Sequence, residues 1–380
     1  MRLLIIGLGT AGSKIADTIL MTSKASGNHS GLHAIAVDND PIVLENLTSI
    51  EEKAKFYFPK DNIDSPELIT TGFTIDEVKA KLKKYDVGMH DAILLCAGLD
   101  GGLVSLVPHL VSIIRESMYE PVFALVTIPA EAAGDKKLIR SLKNLQIIRD
   151  IVDGVIIFDN QLWLEKVRTE LKKNSLQKSS SLSEKFWIPG TPEKVTLEPY
   201  DLVNRHIAKR ISVLIQAGEI NNSMPQTVLD SREILNTITG MSLITIGFSE
   251  EELPDTARIG FFKTRDESRV GKQEQAARIV RLAEKAVFRD ISAYCDFSTA
   301  KKALVLLSGP EEELSMKGYM AIRKWVDESI AGFELRSGDN PISSRHSRNV
   351  SVLILFSGLT IVTRIQDLMN RYQTNALKRG

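Results

Sequence analysis

The chain is poor in cysteine, has no net charge and contains no long apolar run, and each shortage excludes a class of protein. Two cysteines in 380 residues leave no disulfide framework and suit a reducing compartment. Cys96 sits inside the apolar run Ile93-Leu94-Leu95-Cys96-Ala97 and Cys295 stands alone, so a zinc site is not expected. The six histidines are scattered and form no helical metal-ligand couple, and no protein-held metal is assigned. Forty-eight basic residues balance 48 acidic ones, so no global field would hold nucleic acid or an anionic membrane against salt. Recognition must come from a local site. No segment approaches the ~20 apolar residues that span a bilayer. The opening run Met1 to Gly7 is too short for a signal-peptide core. The expectation is a soluble, cytoplasmic protein without membrane insertion.

What is present is enough chain for two cores. The first half alternates apolar strands with amphipathic helices, the pattern of a parallel sheet covered on both faces. Strands are expected at Leu3 to Ile6, Ala34 to Val37, Ala92 to Cys96, Val122 to Val126 and Gly154 to Phe158. Helices are expected at Ile15 to Met21 and Lys136 to Val152. These elements predict an α/β, Rossmann-like doubly wound sheet over residues 1–199. Residues 165–198 interrupt it with Lys172-Lys173-Asn174, Ser179-Ser180-Ser181 and Pro189-Gly190-Thr191-Pro192, which predict a flexible surface loop. Val203, Ile207, Ile211 and Leu214 then recur at helical spacing and predict one long central helix from Tyr200 to Ala217. That helix and the loop after it occupy 200–239. From 240 to 380, strands near Leu243, Ala303 and Val350 alternate with helices at Gln273 to Ala293 and Lys317 to Ile330 before a closing helix, which predicts a smaller α+β domain.

Gly7-Leu8-Gly9-Thr10-Ala11-Gly12 follows the first strand and opens a helix, where free backbone N–H groups and the helix N-terminus face an anionic phosphate. With Asp38 ending the second strand, the same residues satisfy a dinucleotide-binding fingerprint, in which the acid holds a ribose hydroxyl. Three readings stand at this point: a nicotinamide-dependent oxidoreductase, a phosphate-binding nucleotide switch, and glycines that merely let helix and strand pack. A second cluster, Gly98-Leu99-Asp100-Gly101-Gly102, follows the third strand, and a nicotinamide enzyme has no need of it.

The ordered series GLGTAG, AVDND, LLCAGLDGGLVS, ALVTIPAE, IIFDNQLW and YDLVNRHIAKR resembles the tubulin and FtsZ superfamily, and most of all its archaeal CetZ family. The resemblance continues through Val228 to Thr237, Arg323-Lys324-Trp325, Arg336 to Pro341 and Leu355 to Leu359. It implies a GTP/GDP-binding cytoskeletal protein that assembles head to tail with itself, or with a CetZ or FtsZ relative, and acts in cell shape control. It also implies Gly9, Thr10, Ala11 and Gly12 as the first phosphate contact and Gly101, Gly102 and Leu103 as the second. Asn160 and Asn204 match the asparagines at the nucleoside and guanine, whose amides carry donor and acceptor together. Tyr200, one helical turn before Asn204, is placed to stack on the base. Asp230 and Glu233 match two acids that act in trans on a neighbour's nucleotide, any Mg²⁺ arriving with that nucleotide.

The departures are specific. Asp100, Leu103 and Val104 replace a continuous glycine and hydroxyl signature, and each opposes triphosphate binding. Ala133 stands where the resemblance places a ribose glutamate, with Glu131 displaced by two residues, while Lys14 offers positive charge to phosphate. The resemblance therefore implies a GTPase with weak or absent activity. A pseudo-GTPase that caps or regulates an intact relative is the alternative, and the NAD-dependent oxidoreductase the remote one.

Overall fold

The computed structural model describes residues 1–25, 31–59, 73–85, 88–177, 198–218, 229–253, 265–342 and 347–377. Two compact units are formed, one by Arg2–Ser212 with Arg364–Gly380, the other by Met1 with Val213–Thr363.

The first unit is built on strands β1 (Leu3–Leu8), β2 (Leu32–Asp38), β3 (Lys55–Tyr57), β4 (Ala92–Gly98), β5 (Val122–Ile128) and β6 (Gly154–Asp159). They pair in the order β3-β2-β1-β4-β5-β6, every neighbour parallel. All residues of β1, β4, β5 and β6 are buried, as unbroken apolar strands covered on both faces must be. The five strands expected from sequence are all present, each extended by one to three residues. Chain order reverses between β1 and β4, and such a switch point opens a crevice at the carboxyl ends of the strands.

Helices Gly9–Ala25, Val107–Ser117, Asp135–Ile151, Asn160–Gln177, Pro199–Ala217 and Thr363–Leu377 belong wholly or in part to this unit. The long helix buries Val203, Ile207, Ile211 and Leu214, the stripe its spacing predicts. The polar stretch from residue 165 is helical as far as Gln177, a correction to the expected loop. Leu164 and Val167 are buried and anchor that helix, and Glu, Lys and Arg, although polar, are good helix formers. Residues 178–197 of the expected loop lie outside the described residues. The closing helix, expected with the C-terminal domain, clusters from Arg364 onward with the first unit. Arg364 and Arg371 both pair with Glu131 there, Arg371 at 2.8 Å.

The second unit carries β7 (Met241–Glu252), β8 (Lys302–Gly309), β9 (Glu334–Pro341) and β10 (Asn349–Leu359), in the order β7-β10-β8-β9. β10 is antiparallel to β7 and β8, while β8 and β9 run parallel. Helices Ser231–Ile238, Arg265–Phe288 and Met316–Ser329 complete a mixed α+β unit. Its aromatic core stacks Phe297 on Phe356 with ring centroids 5.3 Å apart. Among the described residues, no helix is long and apolar enough to cross a membrane.

Candidate functional site

The crevice at the switch point holds a cavity of about 760 Å³, lined from several loops of the first unit. Gly9, Thr10 and Ala11 line it from the β1 turn; Asp100, Gly101, Gly102 and Leu103 from the turn after β4; Ala130, Ala132 and Ala133 after β5; and Asn160 after β6. Glu198, Tyr200, Asp201 and Asn204 come from the start of the long helix. Of the residues expected to bind nucleotide, all but Gly12 line this one cavity.

The three glycines of the first turn divide the work between conformation and packing. Gly9 has φ +67°, a left-handed conformation that L side chains rarely adopt. A Cβ on Gly12 would stand 2.0 Å from the Cys96 carbonyl oxygen, and one on Gly7 2.6 Å from the Gly12 carbonyl oxygen. Gly7 and Gly12 thus let the first helix lie backbone to backbone on β1 and β4, which aims the helix N-terminus at the cavity.

Two buried amides face each other's end of the problem. Asn160 and Asn204 are 9% and 8% exposed, both line the cavity, and neither side chain hydrogen-bonds another described residue. An amide open to a cavity offers a ligand both a donor and an acceptor. Tyr200 beside them is half exposed, with a ring not consumed by packing. Its hydroxyl pKa is raised by burial and by the charge of Asp100.

Asp100 does not stand bare in the phosphate turn. Lys137 Nζ lies 3.7 Å from its carboxylate, Arg140 donates to its backbone carbonyl, and both cations line the cavity. Sequence reasoning passed over this pair, which sit at i and i+3 on helix Asp135–Ile151. Leu138 and Ser141 are buried on this helix, which sets Lys137 and Arg140 on the flank beside them. Lys14 lines the same cavity and an adjoining one of about 580 Å³, and makes no ion pair with a described residue.

Two acids are placed elsewhere. Asp38 is fully buried and outside the cavity lining; desolvation raises its pKa while N–H groups of Asn39 and Asp40 and the Thr10 hydroxyl oppose the rise. Asp38 Oδ1 accepts from the Asp40 N–H in its own loop, and its absence from the cavity lining does not favour the dinucleotide fingerprint. Glu131 is drawn away to Arg364 and Arg371, whose hydrogen bonds lower its pKa, and Ala133 lines the cavity with no carboxylate.

Asp230 and Glu233 belong to the second unit. Asp230 Oδ1 accepts the Glu233 N–H at 2.8 Å and so caps helix Ser231–Ile238. The Glu233 carboxylate lies 3.6 Å from Arg336 Nη1.

The model of the tubulin-like CetZ C-terminal domain matches residues 193–374. CetZ1 of Haloferax volcanii is 28% identical over 97% of this chain and 91% of its own length, and CetZ5 of the same organism 26% identical over 97% and 90%. The solved structure of the GDP-bound CetZ1 monomer aligns with TM-score 0.73 at 26% identity, covering 97% of this chain and 98% of that one. The chain is similar to CetZ proteins along nearly its whole length. Its fold is tubulin/FtsZ-like, since an FtsZ dimer of M. jannaschii also aligns, with TM-score 0.62 at 16% identity over 94% of this chain and 88% of that one. The two glycine turns and the two amides to which the resemblance points line one cavity. Leu103 and Val104 are buried, and of the two only Leu103 reaches the cavity lining, beside Asp100, Gly101 and Gly102.

Proposed function

We propose that this CetZ-like protein binds GTP and GDP in the cavity and assembles head to tail into filaments, with a role in cell shape. The observation that carries the nucleotide reading is that Asn160 and Asn204 line one cavity with both glycine turns, their amides offering the donor and acceptor that a guanine edge needs. The phosphates lie along Gly9, Thr10, Ala11, Gly101 and Gly102, where backbone N–H groups and the helix N-terminus favour negative charge. Lys14, Lys137 and Arg140 supply the cations, and Asp100 takes back part of that charge. Tyr200 stacks on the base. Magnesium enters on the phosphates.

Assembly is supported by the relatives. CetZ2 of Haloferax volcanii was solved as a GTPγS-bound protofilament, aligning with TM-score 0.75 at 22% identity over 100% of this chain and 99% of that one. A head-to-tail contact is heterologous and propagates. It brings Asp230 and Glu233 of one subunit to the nucleotide of the next, where their carboxylates orient the attacking water.

Calorimetry with GTP and GDP in magnesium, repeated on Asn204→Ala, tests the binding reading. Losing the amide's two hydrogen bonds is expected to weaken GTP binding by roughly 10- to 100-fold. No binding by the unaltered protein at millimolar nucleotide overturns it. Sedimentation with GTP, GDP and no nucleotide tests the filament, and a pellet indifferent to nucleotide removes the coupling between them.

A further inference from the structure

Arg336 is the one charged side chain described within reach of Glu233. It projects from β9, where the residues Arg336 to Pro341 form a polar strand paired to β8. Its guanidinium lies between two carboxylates: Nη1 is 3.6 Å from Glu233, and Nε and Nη2 are 3.4 and 3.3 Å from Glu334 Oε1. Glu334 has another, closer counterion, since Lys302 Nζ approaches its Oε2 at 2.9 Å and also donates to the Asn236 carbonyl at 2.8 Å. Lys302 therefore fastens helix Ser231–Ile238 to β8 and β9, and Glu334 does not need Arg336. With a side chain 42% exposed and contacts no shorter than 3.3 Å, Arg336 is held loosely beside the acid expected to act in trans.

Two carboxylates cannot approach a triphosphate without help, because like charges a few ångströms apart repel by several kcal/mol at reduced dielectric. A cation on the same face removes that obstacle, and a guanidinium does more: its planar fork can bridge a carboxylate and a phosphate oxygen at once. We propose that Arg336 is a catalytic residue supplied in trans, delivered with Glu233 to the neighbouring subunit's nucleotide and donating hydrogen bonds to its γ-phosphate. The inference rests on the filament reading above.

In the step it serves, a water oxygen bonds to the γ-phosphorus while the bond from that phosphorus to the β,γ-bridging oxygen breaks. The electron pair of the broken bond stays on the bridging oxygen. GDP and inorganic phosphate result, and the water proton passes through a Glu233 or Asp230 carboxylate to solvent. Arg336 neutralises charge on the γ-phosphoryl oxygens as the bond to the bridging oxygen breaks, while bridging to the Glu233 carboxylate that orients the water.

The test compares the unaltered protein, Arg336→Ala and Arg336→Lys in GTP hydrolysis per sedimented subunit, with GTPγS pellets to normalise assembly. Arg336→Ala is expected to lose about 100-fold or more in rate per assembled subunit, with nucleotide affinity of the free subunit unchanged. Arg336→Lys keeps the charge without the fork and is expected to fall between them. Mixing Arg336→Ala with Asn204→Ala supplies a loaded cavity from one and an intact Arg336 face from the other, and hydrolysis is expected to return. A rate per assembled subunit equal to that of the unaltered protein in Arg336→Ala, or a mixture as inactive as its parts, overturns the proposal. Failure of the filament reading looks different: the unaltered protein itself neither assembles with nor hydrolyses GTP, and the proposal falls with it.

Discussion

Asp100 shows how a single residue can look disabling in sequence and be accommodated in structure. In the chain it puts a carboxylate into a glycine turn; in the fold that carboxylate faces Lys137, while the Asp100 backbone carbonyl accepts from Arg140. The carboxylate then competes with the ligand for Lys137 rather than simply repelling it. Asp100→Asn, which removes the competitor, is expected to tighten GTP binding about fivefold, and Lys137→Ala to weaken it by a similar factor. Calorimetry at two salt concentrations checks both, since a charge effect at a half-open site shrinks as salt rises. The sequence pointed to Asn160 and Asn204, which the fold brings into one cavity lining, because their chemistry and their motif agree. Lys137 and Arg140 were not legible, because on a surface helix such cations usually face water, and only the fold of the loop after β4 brings a ligand cavity to them.

Elements built on apolar periodicity were legible, and those built on local hydrogen bonding were not. β1, β4, β5 and β6 announce themselves as buried runs, and the long helix by its stripe. The edge strand β9 is half polar and reads as a loop, while the short helix Pro41–Glu45 depends on an Asp40 cap. The amino ends of β2 and β4 hold a feature no periodicity reveals. His33 Nδ1 lies 2.9 Å from His90 Nε2, and the Tyr85 ring closes the cluster with centroids 5.2 Å from His33 and 5.1 Å from His90. Burial pushes the His90 pKa down to about 4 and lowers that of His33, against the weaker pull of Glu51 on His33 and of Glu120 and Asp91 on His90. Lys81 near His33 and Arg2 near His90 act in the same direction as burial. The unfolded chain binds protons at His90 near pH 6.5, where the folded chain does not. Stability from this site is therefore complete above about pH 6.5 and lost as pH falls toward 4. A melting series between those values is expected to show a decline on the order of 2 kcal/mol, and His90→Gln, which cannot titrate, to flatten that part of the curve.

At the scale of the molecule, ligand and assembly act on different sets of residues, and hydrogen exchange can separate them. Every described residue around the cavity lies in the unit Arg2–Ser212, whereas Asp230, Glu233 and Arg336 lie in the unit Val213–Thr363. A ligand that binds only the folded cavity stabilises it by about 2.7 kcal/mol at a hundred times its Kd, which slows local opening by up to about 100-fold. Dilute protein given GTP is therefore expected to gain protection at Gly9 to Lys14, Gly98 to Leu106 and the first turns of the long helix, with the amides of β8 and β10 unchanged. Raising the protein concentration at fixed GTP adds a second event, burial of the face that carries helix Ser231–Ile238 and β9. Protection there should appear with concentration and not with nucleotide alone. If both sets gain protection together in dilute protein, nucleotide binding reaches the second unit without a neighbour, and the division of labour between cavity and contact face is wrong. If the second set stays unprotected in concentrated samples that sediment, the filament uses another surface, and Asp230, Glu233 and Arg336 lose their place at the neighbour's nucleotide.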